Sequence, residues 1–181
     1  MGGPSYDPAK AKQLVAAAKA EGYNGKIRIT CGNTPVGTEE TVTLQAQLQA
    51  VGFDVTTELL PPGQANQKIL LDGNYDIGCG AASIFDEGPF RGMNQFLSDS
   101  VRNRAGYKNP QMDAAIAALY RASTIDENKA AMATVQKVWN DTIPSAMFYA
   151  SEWYIGYKDN VHGLVFTRES TVMFQNAYIT S

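Results

Sequence analysis

Asn74-Tyr-Asp-Ile-Gly-Cys-Gly-Ala-Ala-Ser-Ile-Phe-Asp-Glu-Gly-Pro-Phe90 is the stretch on which the fold turns. Tyr75 to Ala81 is a short run of small, mostly apolar residues, as expected of a strand buried on both faces. Beyond it the chain opens into Ser83, Phe85, Asp86 and Glu87 before a Gly-Pro turn.

Working outward, the segments before it alternate in kind. Asp7 and Pro8 open a helix, one as cap and the other at the first helical position. Ala11, Leu14, Val15 and Ala18 repeat at helical spacing behind them. Lys26 to Cys31 alternates as a strand, and Gly32 to Gly37 reads as a loop. Thr38, Glu39 and Glu40 start a second helix, with Leu44, Leu48 and Val51 inward. Phe53 to Leu59 is a second strand, Pro61-Pro-Gly63 breaks the chain, and a short helix spans Gln64 to Leu71. Strand, helix, strand, helix, strand predicts a parallel βαβαβ sheet flanked by helices, with strand order 2-1-3.

The second half is helical. Gly88-Pro89 begins a short helix with Phe90, Met93 and Leu97 on one side. Asn109-Pro110 begins another with Met112, Ile116 and Leu119 inward. Asp126 is read as the cap of a third, which carries Ala131, Val135, Val138 and Thr142 on one face and ends at Pro144. From Ala146 to Tyr157 the pattern becomes strand-like and aromatic.

Composition narrows the function. The 181 residues suit one domain or one large lobe, with 44% hydrophobic and 18% charged residues. A net charge of -3 argues against nucleic-acid binding. No apolar run approaches the ~20 residues that span a bilayer. Met1 to Tyr6 runs into the first helix without a leader-like stretch.

Enzyme chemistry finds little support, and no catalytic residue is assigned. Gly78-Cys-Gly-Ala-Ala-Ser83 lacks the third glycine of a dinucleotide loop and ends a strand rather than opening the first helix. His162 is the single histidine, in a turn-like Asp-Asn-Val-His-Gly stretch, and no Gly-x-Ser-x-Gly elbow accompanies it. It reads as an ordinary surface residue. Neither cysteine has a second Cys or a His at zinc-ligand spacing, so neither a metal nor another cofactor is expected. Cys31 and Cys79 read as two buried, unpaired thiols at equal depth on neighbouring strands.

Ligands of open α/β sheets bind beyond the carboxyl ends of the strands. The three loops there are Gly32 to Gly37, Leu60 to Gly63 and Ala82 to Gly88. The ligand-binding candidates are therefore Asp86 and Glu87, with Ser83 and Phe85 beside them and Asn33 and Thr34 on the first loop.

The order of motifs resembles a known family. Tyr6-Asp-Pro-Ala-Lys-Ala-Lys-Gln-Leu-Val15, Leu44 to Val55, Gly73-Asn-Tyr-Asp-Ile77, Gly106-Tyr-Lys-Asn-Pro-Gln-Met-Asp113, Ile143-Pro144 and Asn160-Val-His-Gly-Leu164 are similar to stretches of the extracellular solute-binding proteins of family 5. These are the peptide, dipeptide and nickel binding components of ABC importers. The resemblance implies the C-terminal lobe of a type II periplasmic-binding-protein-like fold, over residues 6–163. Residues 164–181 would form a tail returning toward an N-terminal lobe that lies upstream of Met1. It implies a protein outside the cytoplasm, membrane-anchored when complete, with ABC permease subunits as partners and a peptide or another small amine-bearing solute as ligand. Asp86, or alternatively Glu87, would hold a peptide's α-amino group. A free-standing α/β domain that binds a metabolite or a partner protein is the other reading of the same pattern.

Overall fold

The computed structural model describes residues 5–80, 92–147, 154–167 and 171–180. The chain divides into two compact units, residues 1–144 and 145–181.

In the first unit, α1 (Pro8–Ala20), β1 (Lys26–Gly32), α2 (Pro35–Ala50), β2 (Asp54–Leu60), α3 (Pro62–Asn66) and β3 (Ile77–Gly78) follow one another. A wider π-type turn, Gln67–Leu71, continues α3. The three strands are parallel in the order β2-β1-β3, as the sequence pattern predicts. β1 and β2 pair over seven residues, from Lys26 opposite Asp54 to Gly32 opposite Leu60.

Alternation along β1 sorts the faces. Ile29, Cys31 and Val55 are buried together, against Leu44 and Leu48 of α2 and alongside Ile77 and Cys79. Thr30 and Glu58 occupy the opposite face, where Ala65 and Ile69 are buried from α3 and its continuation. Gly78 lies on this second face, and a side chain there would meet Ile69 Cγ2 and the Tyr75 ring. The close approach of the turn to β3 therefore requires glycine at this position.

Caps set the helix starts. Asp7 accepts from the Lys10 N–H at 2.9 Å, and Pro8 holds the first helical position. Helix α2 begins earlier than the acidic pair at 39–40 suggests, because Thr34 Oγ1 accepts from the Gly37 N–H at 3.1 Å and Pro35 is pre-set for a first turn. The cap of the last long helix is Thr124 rather than Asp126. Thr124 and Glu127 form a reciprocal capping box, which satisfies more orphan N–H groups than a lone aspartate could.

Strand β3 is shorter than the expected Tyr75–Ala81. Asp76 Oδ2 accepts from the Arg28 N–H at 2.7 Å, so a side chain takes the place of a ladder bond just before β3. The ladder resumes and ends with the Cys79 N–H donating to Thr30 O at 3.0 Å. Ala81 lies outside the described residues.

The cysteines correct the sequence reading. Cys31 and Cys79 form a disulfide, with Cα atoms 4.9 Å apart, and no cysteine among the described residues is free. Parallel pairing of Thr30 with Gly78 brings the next two residues side by side. A bridge across a separation of 48 residues removes about 4 kcal/mol of unfolded-chain entropy in the loop-closure picture.

The other described residues of this unit build a helical layer. Helices α4 (Pro110–Arg121) and α5 (Ile125–Thr142) pack Met112, Ala115, Ile116 and Leu119 against Ala131, Val135 and Val138, with Met93 and Phe96 completing the core. Met112, Ile116 and Leu119 face inward as their spacing predicts. Trp139 meets Phe96 edge to face, with centroids 4.5 Å apart.

Among its described residues the second unit holds two short antiparallel pairs. β4 (Val161–His162) pairs with β7 (Tyr178–Ile179), and β5 (Val165–Phe166) pairs with β6 (Val172–Met173). The strand expected over Ala146–Tyr157 is not formed at 146–147 or 154–157, and residues 148–153 lie outside the described residues. Among the described residues of this unit the strand pairing lies further along the chain.

Candidate functional site

The carboxyl ends of the three parallel strands define the candidate site. β1 ends at Gly32 and leads into Asn33 and Thr34, both exposed. The Asn33 N–H donates to Leu60 O at 2.8 Å, which ties the ends of β1 and β2 together. Its side-chain amide has no hydrogen-bond partner among the described residues. The Thr34 hydroxyl is engaged as the α2 cap. At the third strand end, Cys79 is half-buried and bonded to Cys31, and Gly80 is exposed, with no atom of the described residues beyond its chain neighbours within 4 Å of where a β-carbon would stand. Ser83, Phe85, Asp86 and Glu87 follow Gly80 in sequence and lie outside the described residues, as does the proposed helix start at Gly88-Pro89.

A second polar arrangement, absent from the sequence reading, sits on the α3 face of the sheet. Lys68 Nζ lies 2.5 Å from Glu58 Oε1, and the fully buried Thr30 hydroxyl donates to Glu58 Oε2 at 3.1 Å. The Lys68 hydrogen bond holds the Glu58 carboxyl below its usual range. Desolvation opposes that shift, while Thr30 and the charges of Lys68 and Arg28 reinforce it. Arg28 Nε is buried without a hydrogen-bond partner among the described residues and lies 3.9 Å from Glu58 Oε2. Arg28 Nη2 donates to Asn74 O at 3.0 Å and to Asn74 Oδ1 at 2.6 Å. The signal was present, since Arg28 and Thr30 alternate with Ile27, Ile29 and Cys31 in a strand expected to be covered on both faces. Glu58, Lys68 and Asn74 also border an open concavity of about 470 Å³, which Gln64 and Gln67 line as well. Every charge here has a neighbour of opposite sign or an amide, as a structural network requires.

Among the described residues no group of three or more His, Cys, Asp or Glu side chains is placed to hold a metal ion. His162 Nε2 is 3.1 Å from Thr180 Oγ1, and its ring lies 5.2 Å from that of Tyr178. Those contacts give the histidine a packing role within its own unit.

The profile of the family described as bacterial extracellular solute-binding proteins, family 5 middle region, matches residues 2–104. This chain belongs to that family. No curated protein matches the sequence. Among solved structures, the family 5 chain is similar to the pheromone receptor PrgZ, at 15% identity and a TM-score of 0.76, over 98% of this chain and 35% of that one. It is also similar to a dipeptide binding protein from Pseudoalteromonas sp. SM9913 in complex with Met-Leu, at 18% identity and a TM-score of 0.69, over 98% and 36% of the two chains. A third is the oligopeptide-binding protein AppA from Bacillus subtilis in complex with a nonapeptide, at 18% identity and a TM-score of 0.63, over 80% and 32%. The chain thus spans about a third of the length of these structures. At such identities the likeness establishes the periplasmic-binding-protein-like fold.

The stretches that resemble family 5 largely build the fold. Asp7 caps α1, and Asp76 accepts the Arg28 N–H of β1 just before β3 begins. In Gly106 to Asp113, the Tyr107 hydroxyl lies 2.8 Å from Thr142 Oγ1, Asn109 caps α4, and Asp113 Oδ1 accepts from the Ser98 N–H at 2.8 Å. No helix among the described residues is long and apolar enough to cross a membrane.

Proposed function

We propose that this chain is the peptide-capturing α/β lobe of the extracytoplasmic solute-binding protein of an ABC importer, and not an enzyme. The observation that carries this reading is that, in a family 5 chain, three parallel strands end together. They end just before Asn33, Pro61 and the run that holds Asp86 and Glu87. Peptides or dipeptides are named as the ligands of the similar structures, which supports the same ligand class here.

In this reading Asp86 accepts the α-amino group of the ligand, with Glu87 as the alternative anchor, and Ser83 and Phe85 line the same loop. Asn33 supplies a free amide beside them, while Thr34 shapes the loop by capping α2. A charge-assisted bond from a cleft carboxylate contributes about 1.5–3 kcal/mol. Residues 6–163 form the lobe and 164–181 return toward an N-terminal lobe encoded upstream. The two lobes close as a hinged clamp, so that the ligand loses roughly 70–90% of its exposure. Delivery is to permease subunits, from a periplasmic or cell-surface protein held at the membrane as a lipoprotein.

The test is calorimetric titration of the two-lobed protein with peptides. Asp86→Asn is expected to weaken binding at least about tenfold, a difference of about 1.4 kcal/mol. Unchanged affinity in both Asp86→Asn and Glu87→Gln removes the carboxylate anchor from the account.

A further inference from the structure

We propose that the Cys31–Cys79 disulfide is a redox-sensitive latch that holds β3 on the sheet. Among the described residues the strand's own ladder is short, although the Arg28 N–H also bonds Asp76 just before it and Ile77 packs against the buried cluster. β3 pairs with β1 at two positions, Ile29 with Ile77 and Thr30 with Gly78, and one further bond joins the Cys79 N–H to Thr30 O. β2, by contrast, pairs with β1 over seven. β3 lies at the edge of the three-stranded sheet, and Gly78 adds no side chain to its packing. The covalent link at Cys79 is therefore the strongest tie between β3 and the neighbouring strand.

The two sulfurs differ in access. Cys31 is fully buried among Ile29 and Val55, whereas Cys79 is half-buried at the strand's carboxyl end. A thiolate of a small dithiol reaches Cys79 Sγ first. It forms a mixed disulfide there, and the Cys31 sulfur leaves and takes up a proton. The second thiol of the reductant then displaces Cys79, which also takes a proton. Two electrons and two protons pass in all from the dithiol to the cysteine pair, and the dithiol becomes a disulfide. An extracellular family places this pair where the oxidised form persists and a reductant is the exception.

β3 runs directly into the stretch that holds Asp86 and Glu87. The consequence for ligand affinity, namely that reduction lowers it, rests on the proposed function. The latch itself rests on the sheet alone.

Hydrogen exchange of the chain, read by mass spectrometry with and without dithiothreitol, tests it. Without reductant, alkylation of the denatured protein finds no thiol. With reductant, exchange in fragments covering residues 75–80 rises at least about tenfold more than exchange in α4 and α5. The double variant C31S/C79S reproduces this local pattern without reductant. Unchanged exchange at 75–80 overturns the latch. So does a uniform rise over the whole chain, which marks a global staple, and so do free thiols in the unreduced protein. Peptide affinity of the two-lobed protein forms a separate arm. Faster exchange at 75–80 with unchanged affinity leaves the latch standing and removes its link to the ligand site.

Discussion

Lys68 Nζ and Glu58 Oε1 meet at 2.5 Å and join the turn after α3 to the middle of β2. The bond holds the Glu58 carboxyl below its usual range, chiefly through Lys68. A carboxyl whose pKa is lower folded than unfolded adds stability above the unfolded value and loses it as pH falls through the folded value. Glu58→Gln is therefore expected to cost about 1 kcal/mol at pH 7, a figure kept small because the pair is partly exposed. Below about pH 4.5 the gap between the variant and the natural chain should close. Urea denaturation at pH 7 and pH 3 measures both, and a gap that widens in acid refutes the assignment.

Asn109 begins α4 by accepting two N–H groups, from Gln111 and Met112, each at 2.9 Å. Asn109→Ala is expected to destabilise the first unit by about 1–2 kcal/mol, and Asn109→Asp by much less. Equal losses in the two variants would show that the residue acts by something other than capping.

Gly163 has φ +74, and a β-carbon there would collide with the backbone carbonyl of Asn176. Gly163→Ala should therefore break the β4–β7 pair, because backbone on both sides cannot retreat. NMR shifts of His162 and Tyr178, whose rings lie 5.2 Å apart, report this directly. Unchanged shifts would contradict the packing described.

Much of this architecture was legible because its causes are local. Alternation in Lys26–Cys31, the break at Pro61 and the caps Asp7 and Asn109 all act within a few residues, whereas Pro62 and Gly63, expected to break the chain before Gln64, open α3. What escaped the sequence depends on chain segments that meet only in the fold. The sequence places Cys31 and Cys79 at equal depth on neighbouring strands, but that their sulfurs bond follows from the register of β1 against β3, which sets the two Cα atoms 4.9 Å apart. The late start of β3 follows from Asp76 bonding Arg28, 48 residues away. Thr124 displaces Asp126 as the cap because the Glu127 side chain reaches back to the Thr124 N–H, a reciprocal contact that a lone aspartate lacks. At the candidate site, Thr34 illustrates the ambiguity of polar loop residues. A hydroxyl at a strand end can meet a ligand or cap the next helix, and here it caps.

The central claim, peptide capture by this lobe, is tested most directly by what the two-lobed protein retains. Protein purified without denaturation should release peptides with free α-amino groups on acid unfolding, identified by mass spectrometry. The isolated chain, which leaves a ligand wet on one side, should release none. Recovery of a different solute without an amine from the two-lobed protein, or micromolar peptide binding by the isolated chain, would contradict the account.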